Sequence, residues 1–131
     1  MARATQTVRR GIPSWLRKRM ESARIEVETS ADPRLVKGCR GTVLAMNAEG
    51  DILVQFDNGL RVPMIHNRDK WWILQTVTTV CYGEPRVWDT RQEAMAYFLE
   101  GVMACDGSER DRYATIYSQL YEGADYATDE Y

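Results

Sequence analysis

The sequence predicts an α+β protein, and three observations carry that prediction. Residues 24–75 break into short stretches of alternating apolar and polar side chains, parted by Gly, Asn, Asp and Pro, the pattern of strands and tight turns. Residues 90–123 hold two apolar stripes at helical spacing with a short link between them. The length is 131 residues, 44% hydrophobic and 27% charged, which suits a folded chain with one core or a small barrel with a helical appendage.

The first element expected is a short amphipathic helix over 13–23. Pro13 fits its first turn, where a missing N–H has no partner to lose, and Trp15, Leu16, Met20 and Ala23 recur at helical spacing. Arg24–Thr29 alternates as a half-buried strand, and Ala31-Asp32-Pro33-Arg34 reads as a turn. Thr42–Met46 is a second strand and Ile52–Phe56 a third. Asn58-Gly59 then predicts a type I′ hairpin turn, because both residues tolerate positive φ. Leu60–Ile65 returns as a fourth strand, which Pro63 places at an edge, since proline has no N–H to give to a ladder. Trp71–Leu74 is the fifth. Five short, strongly bent strands predict a small SH3-like barrel, which closes on itself and removes most exposed edges. Trp71 and Trp72 are adjacent on one strand and so face opposite ways: one fills the barrel, the other covers the helical part or lies exposed.

Thr76–Tyr82, a turn at Gly83-Glu84-Pro85, and Arg86-Val87-Trp88 read as a hairpin. Thr90-x-x-Glu93 is a capping box opening a helix with the stripe Ala94, Met95, Phe98, Leu99, Val102, Met103. Asp106-Gly107 is expected to stop it, and Ser108-x-x-Asp111 to start another, with Tyr113, Ile116, Tyr117, Leu120 and Tyr121 on one face. So short a link makes the two helices antiparallel neighbours. The organisation expected is thus a flexible basic arm over 1–12, helix plus barrel over 13–75, β-hairpin and αα-hairpin over 76–123, and a mobile acidic tail over 124–131.

The net charge of −2 conceals a gradient. Residues 1–24 carry a net of +6, residues 25–88 a net of −1, and residues 89–131 a net of −7. A basic end can face nucleic acid, and an acidic end a basic protein or the site nucleic acid would take. Three cysteines, Cys39, Cys81 and Cys105, form no disulfide framework and point to a reducing, cytoplasmic setting. One histidine, His66, and no C-x-x-C pair give no basis for a metal site. Phosphate-cradling glycine loops, the G-x-S-x-G elbow and H-E-x-x-H are all missing from the sequence, and no apolar run is long enough for a membrane span or a signal. The expectation is a protein that is not an enzyme and takes no cofactor.

Gly38-Cys39-Arg40-Gly41-Thr42-Val43-x-x-Met46 resembles the KOW-type pattern of small barrels, which bind RNA, DNA or protein tails at their loops. More widely, Glu28–Leu74, with Lys37–Val43, the Val54-x-Phe56-Asp57-Asn58-Gly59 hairpin and Leu60, resembles a family of small SH3-like barrel domains of bacterial phages and conjugative elements. The basic helix ahead of it is similar to the family's pattern, whereas Arg61-Val62-Pro63-Met64 is less polar than is usual there. The resemblance implies a mobile-element context. Within it the expected role is stoichiometric binding to a host protein or ribonucleoprotein complex, as an inhibitor of bacterial immunity of the anti-CRISPR kind. The protein-binding candidates are Trp72, Tyr113, Tyr117 and Tyr121 with Asp111 and Glu122, since tyrosine beside acid suits a basic surface. The alternative is a nucleic-acid-binding regulator in which Arg9, Arg10, Arg17, Lys18, Arg19 and Arg40 meet phosphates and the outward tryptophan stacks on a base.

Overall fold

A computed structural model describes residues 11–130, so Arg9 and Arg10 lie outside the described residues. Among these residues the architecture is mixed α+β, with three helices and eight strands in two sheets. The strands divide between two compact units, which meet in sequence between Leu74 and Gln75.

The first unit opens with α1 (Ser14–Met20), three residues shorter at its end than the apolar spacing predicts, because Ser22 turns to φ 71°. Its orientation also departs from the expected stripe. Met20 and Ala23 pack on the core, while Trp15 and Leu16 are exposed and Arg17 is half-buried. The backbone explains it: Ser22 N–H donates to Val43 O and Val43 N–H to Ala23 O, so the exit from α1 is already a strand partner and fixes which face turns inward.

β1 (Arg24–Thr29), β2 (Arg40–Met46), β3 (Ile52–Phe56), β4 (Arg61–Met64) and β5 (Lys70–Ile73) form one antiparallel sheet in the order β4-β3-β2-β1-β5. Bulges between Val27 and Thr29 and between Val43 and Ala45 bend it. The period-two pattern sends Ile25, Val27, Val43, Ile52, Val54, Phe56 and Met64 inward, where Leu35 and Trp71 join them. Trp72 is thereby the outward tryptophan, 58% exposed. β4 is an edge strand, as Pro63 requires. β4 and β5 are the two edges and share no ladder, so the expected closure into a barrel is not found.

Two turns differ from expectation. At Asn58-Gly59 only Gly59 has positive φ, so the turn is not type I′. Gly59 N–H returns to Phe56 O, and the Asn58 side chain accepts the Leu60 N–H, giving a longer loop with a left-handed glycine at its end. The type I′ geometry appears instead at Tyr82-Gly83, with φ 53° and 76°. That moves the second hairpin's turn ahead of Glu84-Pro85, which lies in the strand.

The second unit holds β6 (Val77–Cys81), β7 (Glu84–Trp88), α2 (Arg91–Ala104), α3 (Gly107–Tyr121) and β8 (Tyr126–Thr128). Thr90 caps α2 by accepting the Glu93 N–H at 3.2 Å. Gly107 opens α3 rather than closing α2, and Asp106 is the cap position. Arg91 meets Leu120, and Gly101 meets Tyr113, so the helices run antiparallel. Their core is Ala94, Phe98, Ile116 and Leu120 with Val77, Trp88 and Ala127. Leu99 and Met103, expected in the stripe, face solvent. Within 124–131, expected to be a mobile tail, Tyr126–Thr128 form β8, which pairs in parallel with β6 through Thr78↔Tyr126, Thr79↔Ala127 and Val80↔Thr128, with Ala127 wholly buried.

Candidate functional site

Three surfaces bring the candidate side chains together. On the outer face of the first sheet, register aligns Arg40 with Glu26 and Glu26 with Trp72, so the three stand in one row across β2, β1 and β5. Arg40 Nε donates to Glu26 Oε1 at 3.0 Å. Below the outward Trp72 a groove of about 300 Å³ is lined by Glu28, His66, Asp69, Lys70, Trp71 and Trp72. Lys18 and Arg19 are exposed on α1, while Arg17 is half-buried with its Nε–H in no hydrogen bond.

A second surface lies at the C-terminal end of α3. Tyr117 and Tyr121 stack with ring centroids 6.3 Å apart, and Tyr121 and Tyr126 are 73% and 59% exposed. Glu122 and Asp125 stand beside them, both exposed. A single side chain holds this end rigid. Arg91 Nη1 donates to Leu120 O at 2.8 Å and to Ala124 O at 2.6 Å, and Nη2 to Gly123 O at 3.2 Å and Asp125 Oδ1 at 2.7 Å. It thus gathers three carbonyls at and beyond the helix end, of which Leu120 O also accepts the Gly123 N–H at 3.1 Å. Asp111 is exposed two turns earlier, away from this cluster, and Tyr113 packs inward against Phe98 and Gly101. The expected set is therefore split: Tyr117, Tyr121 and Glu122 lie together, whereas Trp72 belongs to the first sheet.

The third surface was not anticipated from the sequence. It is a cleft of about 350 Å³ whose walls include Tyr82, Trp88, Tyr97 and Tyr113, with Arg86 and Glu84 at its side. Trp88 and Tyr97 meet at 5.1 Å between centroids, and Tyr97 and Phe98 edge to face at 5.1 Å. The Trp88 indole N–H donates to Thr79 Oγ1 at 2.9 Å, which fixes the ring plane. The Arg86 guanidinium lies 3.6 Å from the Trp88 ring and 5.4 Å from that of Tyr97. Arg112 sits 4.5 Å over Tyr82. Burial and then the Glu109 carboxylate push the Tyr113 hydroxyl up to about 12, and the same two causes raise Tyr82. A signal existed in Arg86-x-Trp88, since residues two apart on a strand share a face.

Two of the thiols, Cys81 and Cys105, offer little nucleophilic character. Burial raises Cys81, with Asp129 adding to it, and burial with Glu109 raises Cys105, so the thiolate is disfavoured at both. No group of three or more His, Cys, Asp or Glu among the described residues is arranged to hold a metal ion. No helix among them is long and apolar enough to cross a membrane. Comparison with protein families, with curated proteins and with solved structures gives no match.

Proposed function

We propose that this chain is a binding protein of a mobile genetic element that acts by stoichiometric contact with a host protein or ribonucleoprotein complex, as an inhibitor of bacterial immunity of the anti-CRISPR kind. One observation carries the reading. Tyr121 and Tyr126 stand exposed beside Glu122 and Asp125 on a frame that Arg91 locks, so the surface is presented without first being ordered. Rigid tyrosines lose little entropy on contact, and carboxylates around them select a basic partner surface. The mobile-element context comes from the resemblance of Glu28–Leu74 to phage and conjugative-element domains. The sheet order β4-β3-β2-β1-β5, with β5 returning to β1, supports reading the first unit as an SH3-like sheet.

The test is co-elution of the pure chain with RNA-guided nuclease effector complexes, alongside their cleavage of target DNA. The expected result is a complex of fixed stoichiometry and cleavage lost at equimolar chain. Neither association nor inhibition with any such complex would overturn the reading.

A second reading, a nucleic-acid-binding regulator, is favoured by the row Arg40–Glu26–Trp72 with Lys18 and Arg19 on α1. Cation and stacking ring on one sheet face are what a single strand needs, although Glu26 already engages Arg40 Nε. Retention of labelled RNA or DNA at low salt that falls steeply with added salt supports it, and no retention at low salt removes it.

A further inference from the structure

The cleft between β7 and α2 has aromatic walls and already contains a cation, the chain's own. Trp88 is buried at its base, Tyr97 is about half exposed at its rim, and the Arg86 guanidinium lies against both rings. Arg86 is exposed, and its N–H groups make no hydrogen bond or ion pair among the described residues. Among the described residues, ring faces alone hold it there. Such contacts are weak at exposed sites, about twofold to fivefold in an equilibrium constant, and a long side chain loses rotamer freedom in making them.

The charge around the cleft favours cations. Glu84 is one of its walls, and Glu109 accepts the Tyr113 hydroxyl at 3.3 Å and acts on Tyr82 as well. Arg112, the other cation nearby, is neutralised by Asp129 at 2.9 Å. Residues 89–131, which supply Tyr97 and Tyr113, carry a net of −7. The negative faces of the rings and the carboxylates act in the same sense on an incoming positive side chain.

We propose that the Trp88–Tyr97 cleft is a receptor for an arginine side chain from a basic segment of the protein partner, and that Arg86 is a placeholder which that arginine displaces. The proposal rests on the reading of the partner as a basic protein surface. Displacement exchanges one guanidinium–ring contact for another. The net gain comes from the flanking carboxylates, which pair with a cation brought from outside, and from the freedom Arg86 recovers.

The sign of one mutation separates this from the opposite assignment, in which Arg86 is itself a donor fork for an anion. The probe is a glycine-serine peptide carrying two arginines, titrated into the full chain by calorimetry and followed at the Trp88 indole N–H resonance. The expected result is that Arg86→Ala binds the peptide more tightly, by about twofold to fivefold, because the internal competitor is gone. Tyr97→Ala, at an exposed rim position, weakens it about twofold to fivefold. The Trp88 indole resonance moves in both the wild type and R86A. If R86A binds more weakly, or Y97A binds unchanged, the cleft is not the receptor. In that case loss of binding in Tyr121→Ala still leaves a basic partner at the α3 surface. If the peptide binds none of these chains, the basic-partner reading falls together with the cleft.

Discussion

Arg112 and Asp129 pair at 2.9 Å, joining the first half of α3 to the residue after β8. The Asp129 side chain is wholly buried, and its Oδ2 also accepts the Tyr82 backbone N–H at 3.0 Å. One carboxylate therefore ties β8, α3 and the β6–β7 turn together. Burial works against its charge, but the Tyr82 N–H and Arg112 outweigh it and hold its pKa below the usual range. Removing it takes the partner from the half-buried Tyr82 N–H and from Arg112. Asp129→Ala is expected to destabilise the second unit by about 1.5–3 kcal/mol, the range for charge-assisted bonds. Urea denaturation checks this, and amide exchange at β8 and at Tyr82 should rise before exchange at Ile116 does.

Asp69 does the same work in the first unit. Its side chain is wholly buried, and it accepts the N–H groups of Ala31 and Ile65, both at 2.8 Å, stapling the loop after β1 to the turn before β5. Burial opposes ionisation, yet Arg68 and those two N–H groups prevail and hold the carboxyl at about 2. A depressed folded pKa means stability that is present above the unfolded value near 3.8 and is lost as pH falls toward 2. The first unit should therefore weaken over that window, read by dispersion of its amide resonances. Asp69→Asn should be less stable at neutral pH and should lose the acid slope. An unchanged slope in that variant would show that other carboxylates set it.

Gly41 is expected to tolerate nothing larger. Its φ is not positive, so the left-handed region is not the reason. A Cβ there would lie 2.8 Å from Gln55 O and 2.9 Å from Phe56 Cα, both backbone atoms of the neighbouring strand. Gly41→Ala must push β2 from β3, and a loss of about 1–3 kcal/mol is expected in chemical denaturation. Gly38, at φ 96° with open space around it, should lose only the strain of a left-handed alanine, about 1 kcal/mol, in the same measurement.

These residues show what the sequence made legible. Alternation placed β1 and β3 at their observed bounds, because one buried face writes itself into every second residue. The two glycines after Lys37 were legible as necessary, but not for which reason, since a crossing backbone leaves no local mark. Asn58-Gly59 did not take the type I′ turn its dipeptide favours, and Tyr82-Gly83, where no turn type was expected, did. β8 was missed for a similar cause. Three residues joining a parallel ladder carry too little pattern, and their partner β6 lies far away in sequence. The tyrosine surface was legible as composition. The cleft was not, because Trp88 and Tyr97 meet only after α2 packs on the hairpin.

The Arg91 clamp offers a way to separate the stability of the α3 surface from its recognition chemistry. Arg91 lies at the first position of α2, yet its four hydrogen bonds all go to the end of α3 and the chain beyond it. Removing it takes a donor from the carbonyls of Gly123 and Ala124, while Leu120 O keeps the Gly123 N–H, so Arg91→Ala should cost about 1–2 kcal/mol in denaturation and raise amide exchange over 120–126. Lysine keeps the charge but not the planar fork, so Arg91→Lys should recover only part of that loss. Tyr121→Ala removes a ring that is 73% exposed and should leave stability within about 0.5 kcal/mol of the wild type. If the surface binds as proposed, both variants lose affinity for the partner, but for different reasons. Y121A should mainly raise the dissociation rate, because a contact is gone. R91A should mainly slow association, because a surface that was ready must now be ordered first. Equal affinity of Y121A and the wild type for a captured effector complex would remove this end of α3 from the interface.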